Sequence, residues 1–148
     1  MTVSVYLDTC SIQRPLDKLD QTRLRLEAEA MLGVFAVVQT GKVALISSTV
    51  LEIEVLQNPF VVRLQHGRHV LSQASTIIKV DDTLANRAAT LVQEGVKPMD
   101  ALHLACAEAA EADYFCTCDD QPLRRTRAIA DLNVAVIVPV ELVEVLEQ

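Results

Sequence analysis

The sequence predicts an α/β fold, a three-layer α/β/α sandwich around a central, mostly parallel sheet of five strands. Three observations carry this. Short β-branched runs alternate with segments of helical spacing along the chain, as consecutive βα units require. The aliphatic runs at 3–7 and 134–138 read as strands buried on both faces, the habit of parallel sheets. A chain of 148 residues with 51% hydrophobic content is long and apolar enough for one core, so residues 1–148 read as a single domain. No repeat, linker or low-complexity stretch interrupts it.

Each element has a local reason. The run at 3–7 is β-branched and aromatic and ends at Asp8, which reads as a strand followed by a loop that Pro15 closes. From 22 to 40, Leu24, Ala28, Met31, Leu32, Phe35 and Val38 fall on one helical face, and Gly41 is a natural stop. Residues 42–46 form the second strand. Ser47, Ser48 and Thr49 offer caps for the next helix, with Glu52 placed to complete a capping box from Thr49. That helix runs to about Gln57, before Asn58-Pro59. Residues 60–73 read as another helix and 76–80 as the third strand. Asp81 or Asp82 caps a helix through Leu84, Ala88, Leu91 and Val92 that ends at Gly95. Pro98 suits a first helical turn, so the next helix runs from 98 to about 112. Residues 114–118 are the fourth strand, with a short helix near Pro122. Residues 134–138 are the fifth strand, and 140–147 a closing helix.

Charge is placed unevenly. The chain carries 13 Lys+Arg against 20 Asp+Glu, a net −7, which excludes nucleic-acid binding by bulk positive charge alone. Residues 98–148 hold ten acids and only Arg124, Arg125 and Arg127, so the whole excess belongs to the last third. Surplus acid serves solubility, and concentrated acid also suits a cation site. Two divalent ions would bring −7 to about −3. The N-terminus has no basic stretch followed by a long apolar one, and no apolar run reaches the ~18 residues of a membrane span. The four cysteines (Cys10, Cys106, Cys116, Cys118) do not form a secreted scaffold, and no bridge is expected between Cys116 and Cys118, two positions apart along one strand. A reduced, cytoplasmic protein without a membrane segment is the expectation.

The chemistry lies where acids follow strands. Asp8 ends the first strand, and Asp119 and Asp120 end the fourth. Ligands of parallel sheets bind outside the carboxyl ends of the strands, and carboxylate clusters suit hard cations such as Mg²⁺ or Mn²⁺. Asp120 has a competing role as cap of the following helix. Asp100 lies in the first turn of an apolar helix, favoured there by the helix dipole, with His103 one turn on facing the same way. Glu52 and Glu54 sit on different faces of their helix, so at most one reaches a shared centre. Glu54 has no local role to absorb it, whereas Glu52 has its capping box.

Together, LDTC at 7–10, ISSTVLEIE at 46–54 and DALHLACAEAAEADYFCTCDD at 100–120 resemble the PIN domain family, in particular its VapC-like toxin nucleases of toxin–antitoxin pairs. The order and strand context match over nearly the whole chain. The resemblance implies a metal-dependent ribonuclease that uses Mg²⁺ or Mn²⁺. Its catalytic and metal-binding acids would be Asp8, Glu54, Asp100 and Asp119, with Glu52 an open alternative to Glu54. Thr117 would be the threonine of a T-x-D turn, Thr9 a supporting hydroxyl, and Asp120 a further supporting acid. Neighbouring carboxylates without metal should have raised pKa values. Arg14, Arg124 and Arg125 flank the acids and would grip RNA phosphates. Aromatics are too few, at 3%, for base stacking to set specificity. An antitoxin and a second copy of the chain are the expected partners, on a surplus of apolar residues in 22–40 (Leu26, Met31, Val34, Val37, Val38).

Other chemistries fit less well. His66 and His69 have zinc spacing but no third ligand nearby, and His103 with Cys106 fails alike and reads as core. The four glycines make no phosphate loop. D-T-C after the first strand departs from the D-x-D of haloacid-dehalogenase-like phosphatases, and no lysine follows Lys97 for a receiver domain. The serious alternative is a PIN-fold binding module with weak or no nuclease activity.

Overall fold

The computed structural model describes residues 2–147. Its elements, in order, are β1 (Val3–Leu7), α1 (Thr9–Gln13), a 3₁₀ turn (Arg14–Leu16), α2 (Thr22–Gln39), β2 (Val43–Ser48), α3 (Thr49–Leu56), α4 (Val61–Leu71), β3 (Thr76–Ile78), α5 (Asp82–Gln93), α6 (Pro98–Ala109), β4 (Tyr114–Cys116), α7 (Asp120–Arg127), β5 (Ala135–Ile137) and α8 (Pro139–Leu146). The five strands form one sheet in the order β3-β2-β1-β4-β5, and every pairing is parallel. The expected α/β/α sandwich is therefore the observed one.

β1 is the central strand. It pairs with β2 (Val5 opposite Leu45) and with β4 (Leu7 opposite Cys116). The chain first travels outward on one side, β1 to β2 to β3, then returns to lay β4 on the other side of β1. Right-handed crossovers moving in opposite directions place their helices on opposite faces. Accordingly α2 packs with α8, and α5 packs with α6. The pleat turns Tyr6 toward α6, where it stacks on Phe115 of the neighbouring strand at 5.4 Å, and turns Val5 and Leu7 to the other layer. Tyr6, Phe115, Met31, Leu45, Leu91, Leu104 and Leu142 are fully buried between these layers.

Several local expectations need correction. The segment after Asp8 is helix α1 rather than a loop, because the Asp8 side chain accepts the Ser11 N–H at 3.0 Å and caps it. The cap of α3 is Ser48, whose Oγ accepts the Leu51 N–H at 3.0 Å. The Thr49–Glu52 capping box is therefore absent. The cap of α7 is Asp119 and not Asp120. α6 stops at Ala109 because Glu111 turns left-handed, at φ 56°. Gly41 and Gly95 do end α2 and α5, with φ of 80° and 100°, where a side chain would be strained. The apolar surplus of α2 is mostly core: Met31, Val34 and Val38 are buried, while Leu26 and Leu32 face solvent.

Candidate functional site

The switch in strand order falls between β2-β1 and β4, and the acids gather at that end of the sheet. Asp8 follows β1 and is only 7% exposed. Besides the Ser11 N–H, its two oxygens each take the Cys10 thiol at 3.1 Å, and no Lys or Arg forms an ion pair with it among the described residues. Burial pushes its carboxyl above the usual aspartate value, and the hydrogen bonds only partly oppose this.

Asp100 enters from the first turn of α6, half-buried, and its carboxylate takes no hydrogen bond among the described residues. Its pKa is raised, first by burial and then by the charges of Asp8 and Asp119, against smaller opposing effects of His103 and Lys97. The three aspartates thus share one electrostatic environment. Asp119 is exposed, its backbone N–H donating to Thr117 Oγ1 at 3.0 Å and its Oδ1 accepting from Gln121 N–H at 3.1 Å. Thr117 itself is fully buried. It shapes the turn that carries Asp119 past the strand end.

Glu54 comes from α3. Its Oε1 accepts from Thr9 Oγ1 at 3.0 Å and from His103 Nε2. Burial alone would raise its pKa, but His103 and then Thr9 outweigh it and hold the carboxyl below the usual glutamate value. Oε2 takes no hydrogen bond among the described residues. Glu52 lies elsewhere, in a surface groove with Val55, Leu56, Arg68 and Ile77. The two glutamates left open by the sequence are thus separated by geometry, and Glu54 is the one beside Thr9 and α6.

Of the remaining candidates, Asp120 and Arg14 are tied up in ion pairs. Asp120 is exposed and held by Arg23 through two bonds of 2.8 and 3.0 Å, which lower its pKa. Arg14 is bound to Asp17 at 2.7 Å and Glu27 at 3.2 Å, so it is committed within the fold. Arg124 lines a cleft of about 430 Å³ with Cys10, Cys118 and Asp119. Arg125 lies over Gly95, its guanidinium 3.4 Å from where a Cβ would stand. His66 Nε2 donates to the Ile12 carbonyl at 2.7 Å, which fixes α4 on α1. All four cysteines are free.

A buried chain of polar groups behind Glu54 was not foreseen. His103 Nδ1 meets Tyr6 Oη at 2.6 Å, and Tyr6 Oη meets Ser48 Oγ at 2.7 Å. His103, Tyr6 and Ser48 are all buried. The only sequence signal was that His103 lies one turn from Asp100.

Among the described residues, no three His, Cys, Asp or Glu side chains stand close enough, as placed, to hold a metal ion together. The donor chemistry nevertheless fits a hard divalent cation. It is a set of carboxylates, of which Glu54, Asp100 and Asp119 have unused oxygens, around a buried Asp8 that no cation among the described residues neutralises.

A protein-family model for the PIN domain matches residues 5–129. Among solved structures, FitAcB from Neisseria gonorrhoeae is 18% identical with a TM-score of 0.56, over 91% of this chain and 97% of that one. VapBC2 from Rickettsia felis, solved bound to a DNA fragment from its promoter, is 14% identical with a TM-score of 0.58, over 92% and 98%. PAE2754 from Pyrobaculum aerophilum is 17% identical with a TM-score of 0.58, over 99% and 98%. At these identities the likeness is one of fold. No curated protein matches the chain.

Proposed function

The chain belongs to the PIN domain family, and on that premise we propose that it is a Mg²⁺- or Mn²⁺-dependent endoribonuclease, the toxin of a toxin–antitoxin pair. The observation that carries this is Asp8. It is a carboxylate only 7% exposed, without an ion-pair partner among the described residues, whose charge is felt by Asp100, at the switch point of a parallel sheet. A buried carboxylate in such company needs neutralising, and a divalent ion does so while leaving a reactive centre.

Asp8, Glu54, Asp100 and Asp119 would hold the ion or ions. Bound metal supplies a water of lowered pKa and neutralises charge on the scissile phosphate. The chain's own residues do the rest. Thr9 fixes one oxygen of Glu54 and leaves the other available. Thr117 aims the turn that carries Asp119. Arg124, on the cleft beside Asp119, is placed to hold a phosphate of the RNA, and Arg125 extends that surface. Arg14 keeps a structural task through Asp17 and Glu27, and Asp120 keeps Arg23 in place.

The partners on this reading are RNA, an antitoxin protein and a second copy of the chain, in the cytoplasm. Among the described residues no helix is long and apolar enough to cross a membrane. The competing reading, a PIN-fold binding module, draws on the acids standing apart as placed. One experiment separates the two. Purified protein should cleave RNA with Mn²⁺, stop with EDTA, and lose cleavage in Asp100→Asn. Full activity in Asp100→Asn sinks the assigned centre, and metal-independent binding of RNA without cleavage favours the module.

A further inference from the structure

The polar chain behind Glu54 runs through four elements. Ser48 ends β2, Tyr6 lies in β1, His103 is on α6 and Glu54 is on α3. Its donors can be assigned from the partners at each end. Glu54 is a carboxylate and only accepts, so His103 Nε2 carries the hydrogen between them. In the uncharged ring Nδ1 is then an acceptor, and it takes the Tyr6 hydroxyl proton. Tyr6 Oη accepts in turn from Ser48 Oγ. The Ser48 oxygen also receives the Leu51 N–H at 3.0 Å on one of its two lone pairs, and because the Tyr6 proton already goes to His103, Ser48 is the donor to Tyr6. Every donor and acceptor in the series is matched, and the series runs one way, from the cap of α3 to the side chain of Glu54 on that same helix.

Both hydrogen bonds to Glu54 end on Oε1. A carboxylate gripped on one oxygen by a buried imidazole and a threonine cannot rotate freely, and its other oxygen is left without a partner among the described residues. Outer groups of this kind orient metal ligands and tune their basicity.

We propose that His103 is a positioning residue for Glu54, held in its Nε2–H form by Tyr6 and Ser48, so that Glu54 presents Oε2 alone to a divalent cation. This rests on the metal-dependent reading above. A purely structural His103 would hold α6 against the sheet and have no bearing on the ion.

Mn²⁺ alone is the probe, followed by calorimetry on the full chain, with unfolding midpoints recorded for each variant. His103→Ala should weaken Mn²⁺ binding by about 10–100-fold, the range seen when such outer partners are removed. His103→Gln, which restores an N–H donor toward Glu54, should recover most of the affinity. Tyr6→Phe removes only a hydroxyl and keeps the stacked ring, so it serves if His103→Ala does not fold. It should weaken Mn²⁺ binding less than His103→Ala and admit the second imidazole tautomer in a ¹⁵N-histidine spectrum, where the wild type shows Nε2–H. Unchanged Mn²⁺ affinity in folded His103→Ala or Tyr6→Phe, failure of His103→Gln to rescue, or an Nδ1–H tautomer in the wild type overturns the proposal. Wild-type protein that binds no Mn²⁺ overturns the nuclease reading first, and the inference with it.

Discussion

Glu27 and Asp8 are buried to nearly the same depth, 5% and 7% exposed, yet their surroundings are opposite. Glu27 faces Arg14 Nε at 3.2 Å and Arg23 Nε at 3.5 Å. Asp8 has a backbone N–H and a thiol and no ion-pair partner among the described residues. Glu108 repeats the Glu27 pattern, gripped by Arg87 at 2.8 and 3.1 Å. Carboxylates are costly to bury unless their charge is matched. The fold matches Glu27 and Glu108 from within. It leaves Asp8 to be matched by a proton or by something that binds.

The largest test of this contrast is Asp8→Asn. Cleavage should fall by more than about 100-fold, beyond the ~10–100-fold that loss of an outer partner costs, and Mn²⁺ binding should fall with it. Retained cleavage would make Asp8 another structural acid. Glu27→Gln should do the reverse. It removes one of the two carboxylates on Arg14, so urea unfolding should show destabilisation of about 1–3 kcal/mol, since Asp17 still holds Arg14 and Arg23 is well exposed. Mn²⁺ affinity of the folded fraction should hold, and a lost affinity would erase the distinction between the two acids.

A smaller effect has the opposite sign. Without metal, Asp8→Asn should melt above the wild type at neutral pH, because asparagine still caps α1 while the buried charge is gone. The folded wild type holds the Asp8 proton more tightly than the unfolded chain does. The stability it forgoes at neutral pH therefore returns as pH falls through the raised value toward the ordinary one. The gap in Tm should narrow on acidification, and a widening gap contradicts the assignment. Glu52→Gln should be the mildest change, within about 0.5 kcal/mol of wild type and without effect on Mn²⁺ binding. A tenfold loss there would return Glu52 to the centre.

The sheet was legible because parallel strands are apolar runs, and β1 has the predicted bounds. α1 was missed because a helix of five residues, Thr9–Gln13, has no room to show a period. β4 was drawn too long, to Cys118, since its next residue still pairs, Thr117 N–H to the Ile137 carbonyl at 3.0 Å. Caps slipped by one residue at Ser48-Thr49 and Asp119-Asp120, where two candidates adjoin, while at Asp81-Asp82 the observed cap, Asp81, is one of the two expected. Asp8 and Asp119 could be assigned to one end of the sheet because both follow parallel strands, and Asp100 feels the charge of both, whereas Glu54 was reached only through the family resemblance. The His103, Tyr6 and Ser48 series could not, since it joins residues up to 97 positions apart and no local pattern encodes that contact. Arg14 looked free in sequence, and only the fold shows Glu27 and Asp17 waiting for it.

Strand order also sets when the site can exist. β2 follows β1 early in synthesis, but β4 closes the other edge from far along the chain, where Ser4 meets Asp113 across 109 positions. At ~5–20 residues per second, a growing chain spends several seconds with Asp8 and Glu54 made and Asp100 and Asp119 not yet made. On the proposed function, a nuclease built in this order would be harmless to the message and the ribosome that are producing it. On that reading its chemistry would begin only with completion of the last third, which would leave that interval for an inhibitor to be on hand.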